Sequence, residues 1–360
     1  MKRNRFLISS AAFLLAVLAL SAGALYSSAA KPTAPTVPSR TFQFSYQVHF
    51  PATPGSAGPV YLWIPSPAVG DAHQRIVASD GQPASADVRV VSDAPSTSGT
   101  DPQYHNQFFV FHPDASQVAN GFDATVEFAV TREEYSVLRN GTLVQGAPRS
   151  SASAAELDRY LQSDKLAPIN GVIAQLAKEQ TAGATTPLEK ARRIYDYVVT
   201  TMHYDKSGEG WGRGDAIWAC DSKRGNCTDF HSLFIGMMRA SGIPARFEIG
   251  FPLPEGKSEG VIPGYHCWSE FYVEGIGWIP VDASEASKNP AKKDYFFGTL
   301  DVNRVLFTYG RDLHLSADQK GPALNYFIYP YAAVAGQPVK DLQPHFSFRD
   351  VTAAPLQATR

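Results

Sequence analysis

Arg224-Gly225-Asn226-Cys227-Thr228-Asp229-Phe230-His231-Ser232-Leu233-Phe234-Ile235-Gly236-Met237-Met238-Arg239-Ala240-Ser241-Gly242 is the stretch that decides the fold. Phe230, Leu233, Phe234, Met237 and Met238 recur at the spacing of one helical face, and Gly242 with Ile243-Pro244 closes the helix. Cys227 therefore falls in the first turn or just before it. Backbone N–H groups there lack intrahelical acceptors, and the helix dipole favours negative charge, so the thiol is expected to ionise readily. The same N–H groups can hold an oxyanion. A cysteine that packs as a small hydrophobe would occupy the same position, so the case rests on what else converges on it.

Two later segments supply the company. Tyr265 to Val273 has the pattern of a strand, Glu274-Gly275-Ile276-Gly277 turns the chain, and Trp278 to Asp282 returns. Such a hairpin sets Asp282 beside His266, where a carboxylate fixes the imidazole tautomer and stabilises its protonated form. Alternation along the strand turns Cys267 to the face opposite His266, away from the place of a nucleophile. A thiol, a base and a group that orients the base form the minimum set for acyl transfer through a thioester.

Gly225-Asn226-Cys227-Thr228-Asp229-Phe230, Ser241-Gly242-Ile243-Pro244-Ala245-Arg246, His266-Cys267-Trp268-Ser269-Glu270 and Gly277-Trp278-Ile279-Pro280-Val281-Asp282 together resemble the transglutaminase-like superfamily of papain-fold cysteine enzymes, over about residues 165 to 300. The resemblance implies an α+β core in which the cysteine-bearing helix packs on an antiparallel sheet. It implies Cys227 as nucleophile, His266 as general base and Asp282 as orienting acid. It also implies a protein or peptide amide as substrate, with no cofactor and no metal. Thr228 stands where animal transglutaminases carry a bulky aromatic, and their upstream tunnel tryptophan has only Trp211, Trp218 and Tyr204 as candidates by composition. No acidic run suggests calcium sites. Crosslinking thus stays open beside the protease and amidase activities of the same superfamily.

Around the three principal residues, Asn226, Asp229, Trp218, Tyr204 and Glu270 are candidates for supporting or oxyanion-binding positions. Arg224 and Arg246 read as fold-stabilising ion-pair partners. Cys227 and His231, four apart on one helical face, also admit a zinc site, although a metal would need further ligands that a strand directs apart in His266-Cys267. A non-catalytic binding module predicts loss of a triad member, and none is lost.

The remainder of the chain sets the context. Lys2, Arg3 and Arg5 precede an uncharged run from Phe6 to Tyr26, with small residues at Ala22-Gly23-Ala24 and Ser28-Ala29-Ala30. That is the layout of a secretory signal over residues 1–30, an uncleaved anchor being the alternative, and it points to a periplasmic or secreted protein. Without those three charges the 32 basic residues become 29 against 34 acidic ones, a net of −5 with no basic stripe to engage nucleic acid. Three cysteines, Cys220, Cys227 and Cys267, leave at least one free thiol, with Cys220 and Cys267 able to pair. A Pro-rich linker (31–40) leads into alternating strands read as an all-β, Ig-like sandwich over 41–140. The catalytic domain spans 160–335, and 336–360 forms a tail or edge strand. Leu188, Ala191, Ile194, Tyr195, Val198, Val199 and Met202 form a core face on a helix opened by the box Thr186-Pro187-Leu188-Glu189. Further strands are expected over Arg304 to Leu315 and Leu324 to Tyr331. The oligomeric state is not written in the sequence.

Overall fold

The twelve-residue strand Ser39–Phe50 shows how the outer layer is built. Phe42, Phe44, Tyr46, Val48 and Phe50 are buried, while Gln43, Gln47 and His49 point outward. The strand pairs antiparallel along its whole length with Phe122–Glu133 and, on its other side, with Gln343–Asp350. The computed structural model describes residues 37–56, 58–78, 88–147 and 149–351. The expected signal segment, most of the expected linker and the last nine residues lie outside the described residues.

Three principal sheets are present. The first runs in the order Glu259–Val261, Gln343–Asp350, Ser39–Phe50, Phe122–Glu133, Gln74–Val77, with Arg89–Ser92 also on Phe122–Glu133. The second runs Gln337–Pro338, Tyr331–Val334, Val60–Pro65, Gln107–Phe111, Ser96–Thr100. The third is antiparallel and carries the sequence motifs, in the order Gly277–Val281, His266–Val273, Ala245–Pro252, Arg304–Tyr309.

Two expectations need correction here. The sandwich read over 41–140 is not completed by its own residues, because strands at 331–334, 337–338 and 343–350 close both sheets from the far end of the chain. The region 336–360, expected as a tail or edge strand, contributes an interior strand, Gln343–Asp350, between Glu259–Val261 and Ser39–Phe50. Its core is not separate either. Phe44 stacks among Phe128, Phe251 and Phe307 at ring-centroid distances of 5.4, 5.3 and 5.5 Å, and the last two belong to the third sheet. One hydrophobic cluster runs from Phe42 through Phe234 to Phe348, so a self-contained Ig-like module does not describe this layer. The strand expected over Leu324 to Tyr331 begins instead at Tyr331, and that expected from Arg304 ends at Tyr309.

The helical side follows the sequence closely. Pro187–Thr201 opens with the Thr186–Glu189 capping box, and Gly171–Gln180, Ala216–Ser222 and Pro187–Thr201 all pack on Cys227–Ala240. That central helix has no solvent face: every residue from Cys227 to Arg239 is buried, not only the five-residue stripe. Gly236 permits the approach, since a Cβ there would come 3.1 Å from Pro168 O and 3.2 Å from Ile173 Cγ2. Against its other side lies the third sheet, through His266–Val273 and Ala245–Pro252. The first turn of a buried helix is thereby aimed at one end of a sheet.

Candidate active site

Cys227 is the first residue of its helix, with Asn226 as N-cap. Asn226 Oδ1 accepts from Thr228 N at 3.0 Å, and the Asp229 carboxylate accepts from Asn226 N at 2.9 Å, a reciprocal capping box worth roughly 1 kcal/mol or more. Gly225, at φ +148°, is required just before it, because a Cβ there would overlap the Asp229 carboxylate. The Cys227 N–H, in the first turn, has no helical acceptor and remains available to a ligand oxygen.

His266 begins its strand, and Asp282 follows the next strand as N-cap of a helix, Ala283–Lys288. His266 Nε2 donates to Asp282 Oδ2 at 2.7 Å. The other ring nitrogen is left for Cys227, whose sulfur neighbours the His266 side chain. All three side chains are buried: Cys227 is 2 %, His266 5 % and Asp282 0 % exposed.

Burial opposes charge on each group, and each is charged through the others. Desolvation alone would raise the Cys227 thiol. Hydrogen bonds from Cys267 and His266, with the positive charge of His266, outweigh it and hold the thiol well below its usual range. Desolvation alone would lower His266, but the Asp282 carboxylate and the Cys227 sulfur push it up to about 10. Asp282 is held well below the usual carboxylate range against its own burial, by His266, Arg304 and His231. Both directions favour a thiolate–imidazolium pair.

Residues 174–283 match the family model of the transglutaminase-like superfamily. The chain carries a transglutaminase-like core. A protein of Haemophilus influenzae, described as uncharacterized, is 27% identical over 337 residues, which cover 84% of this chain and 88% of that protein. The uncharacterized protein YebA of Bacillus subtilis is 26% identical over 149 residues, 38% of this chain and 20% of YebA. The solved structure of a candidate cysteine protease from Cytophaga hutchinsonii shares the fold at a TM-score of 0.50 and 14% identity, covering 87% of this chain and 98% of that one.

Within the transglutaminase-like core the supporting candidates separate. Asp229 accepts from Gly212 N at 2.6 Å and Gly214 N at 2.9 Å as well as from Asn226, so it pins the glycine-rich loop against the helix start. Burial pushes its carboxyl up while these donors pull it down. Arg311 holds the same loop, donating to Gly214 O at 2.8 Å. Asn226 Nδ2 donates to the Tyr265 hydroxyl at 3.0 Å. Tyr204 is held beside the helix start by parallel pairing with Gly225, and its hydroxyl is pushed up by burial and then by the charge of Cys227. Trp218 packs over Gly210 with the Arg224 guanidinium 5.6 Å above its ring.

Glu270 is the exception. It lies on the sheet away from the thiol and accepts from Arg246 Nε at 2.6 Å, within a buried cluster that includes Glu248. Only its position four residues after His266 suggested a role, and strand geometry carries it about 13 Å along the chain.

Three residues go beyond the sequence reading. His231 Nδ1 donates to Cys227 O at 2.8 Å, and its Nε2 accepts from Ala283 N at 3.1 Å. With both nitrogens engaged it joins the two helices as a neutral ring, its basicity lowered chiefly by burial, and neither nitrogen is offered to a metal. The expectation that Cys267 points away from the place of the nucleophile is overturned, because its face of the strand meets the Cys227 helix. Its sulfur lies 3.7 Å from His231 Nδ1 on that helix, and burial, then the neighbouring Cys227, raises its own thiol. All three cysteines are free, so the pairing of Cys220 with Cys267 is absent. Arg304, buried and donating to Asp282 at 3.1 Å, was hidden at the start of an expected strand. A single charge opening the apolar run Val305-Leu306-Phe307 was its signal.

Proposed function

We propose that this chain is a cysteine acyl-transfer enzyme acting on protein or peptide amides. The observation that carries the proposal is the convergence of Cys227, at the start of a buried helix, with the hydrogen-bonded His266–Asp282 pair. The Cys227 thiolate attacks the amide carbonyl, forming the C–S bond, and the carbonyl oxygen takes the negative charge. The Cys227 N–H and the Tyr204 hydroxyl are the candidate donors to that oxyanion. His266 then gives its proton to the leaving amine as the C–N bond breaks. An amine or water attacks the thioester while His266 takes its proton, and Cys227 leaves as thiolate. Asp282 holds the imidazole in place throughout.

Hydrolysis is the alternative outcome at the same thioester, and peptidase activity is what the name of the Cytophaga protein suggests. The basic leader and apolar run at the N-terminus support action outside the cytoplasm, in the periplasm or the medium. Among the described residues no helix is long and apolar enough to cross a membrane. Trapping the acyl-enzyme and identifying the group on Cys227 by mass spectrometry tests the proposal. A glutaminyl adduct that persists in water and leaves on addition of amine indicates transfer, and a truncated peptide indicates proteolysis. An adduct on another residue, with Cys227 unmodified, would refute it.

A further inference from the structure

The triad leaves one buried charge at the site unused. Arg304 opens the strand Arg304–Tyr309 at 2 % exposure. Its Nη1 donates to Asp282 Oδ2 at 3.1 Å, the same oxygen that accepts from His266 at 2.7 Å. Nη2 donates to Asp301 at 3.3 Å, and the guanidinium carbon lies 4.8 Å from the centre of the Trp268 ring. Trp268 in turn neighbours the His266 ring, at 5.9 Å between centroids. Three contacts thus fix one guanidinium beside the orienting carboxylate.

We propose that Arg304 is a positioning residue that fixes the Asp282 carboxylate and sets how much of its charge reaches the Cys227–His266 pair. The proposal rests on the reading of Cys227 as nucleophile. A carboxylate bonded to histidine alone would present its full charge to the imidazolium and, behind it, to the thiolate. With Arg304 the series reads thiolate, imidazolium, carboxylate, guanidinium, and its net charge is zero. Within that series no ion is left uncompensated, and Asp301, the second carboxylate on the guanidinium, is 26% exposed and reaches water. Planarity matters, because one guanidinium can serve two carboxylates and lie flat on an indole, which an ammonium cannot.

The other titratable groups facing the site come from several elements. His231 lies 3.8 Å from Asp282 on the central helix, and Glu285 lies 3.8 Å from His266 on the following one. Cys267, Tyr204, Tyr265 and Asp229 interact electrostatically with Cys227, Tyr195 on Pro187–Thr201 with Asp282, and Tyr295 with Arg304. None of these carries a positive charge that replaces Arg304, since His231 is held neutral.

The test needs no substrate. The rate of Cys227 alkylation by iodoacetamide, read by peptide mass spectrometry across pH, reports the thiolate directly. In Arg304→Gln, loss of the positive charge moves the acidic limb up by about one pH unit, so alkylation on that limb slows about tenfold. In Asp301→Asn the guanidinium is less compensated, and the limb moves the opposite way, by a smaller step. Arg304→Lys keeps the charge and returns the limb to within about threefold of the native rate. Thermal midpoints are read in parallel. If Arg304→Gln does not fold, the downward shift in Asp301→Asn, set against the near-native limb of Arg304→Lys, still decides. Native limbs in folded Arg304→Gln or Asp301→Asn, whatever their midpoints, overturn the proposal, because a purely structural arginine would lower stability without moving the titration. Absence of Cys227 alkylation in the native protein at any pH would instead refute the nucleophile itself.

Discussion

The strand Ser39–Phe50 and the helix Cys227–Ala240 are both central to their layers, yet they treat charge in opposite ways. On the outer sheet the ion pair Arg89–Glu127 faces water, with side chains 72% and 41% exposed, although Arg132 on Phe122–Glu133 is buried beside Asp71. Along Ser39–Phe50, alternation sends only apolar and aromatic groups inward. At the helix start the inward groups are themselves ionic. Cys227, His266, Asp282 and Arg304 are each 5% exposed or less, and each is charged because its neighbour is. The outer layer is stable through additive contacts, so a single change there costs what its own contacts were worth. The site is stable as a set, so a single change strands a buried charge.

The largest expected effect separates chemistry from stability. Cys227→Ala should lower turnover by about 10⁴-fold or more, with a far smaller effect on the thermal midpoint, since the His266 imidazolium keeps its Asp282 partner once the thiolate is gone. Residual turnover within tenfold of the native protein would remove the thioester route. Phe44→Ala should do the reverse. It leaves a cavity among Phe128, Phe251 and Phe307, and should cost about 3–5 kcal/mol in denaturant unfolding. The folded fraction should still alkylate at Cys227 at the native rate. A loss of reactivity in that fraction would mean that the outer layer also shapes the site.

What the sequence made legible follows the same division. The Cys227 helix start, the His266–Asp282 hairpin and the Thr186 capping box each depend on residues a few positions apart, where periodicity and turn chemistry decide the outcome. Closure of the sheets by Gln343–Asp350 was hidden, because Phe42 and Asp350 meet across some 300 residues and alternation names no partner. The turned-in face of Cys267 was hidden for a related reason. The sequence says that neighbouring side chains on a strand diverge, but both faces of this strand are buried, and which one meets the thiol depends on how the central helix lies. Arg304 was visible as an odd charge in an apolar strand, without its destination.

A pH series probes how far the site behaves as a set. His266 is pushed up to about 10 in the folded protein, above its ordinary 6.5, so its contribution to stability is complete below pH 6.5 and is lost as pH rises through about 10. The imidazolium is also the proton donor to the leaving amine. Turnover should therefore fall about tenfold for each pH unit above 10, while Cys227 alkylation, which needs only thiolate, stays level or rises. A parallel fall of both would mean that the fold, and not the imidazolium, is lost there.

The smallest effect is expected on the outer face, where it makes the contrast quantitative. Arg89→Ala breaks the ion pair with Glu127 at 3.2 Å, but both partners are solvated in the native state and remain so afterwards. Such pairs contribute less than about 1 kcal/mol, so the thermal midpoint should move by under about 3 °C. Added salt should shrink even that difference, because exposed charges are screened within about 10 Å at 0.1 M. The buried Asp282–Arg304 pair is sheltered from counterions, and salt should leave the Arg304→Gln difference nearly intact. If instead 0.5 M salt erased both differences alike, the site would be open to solvent, and the mutual charging of its members could not be what sets the thiol.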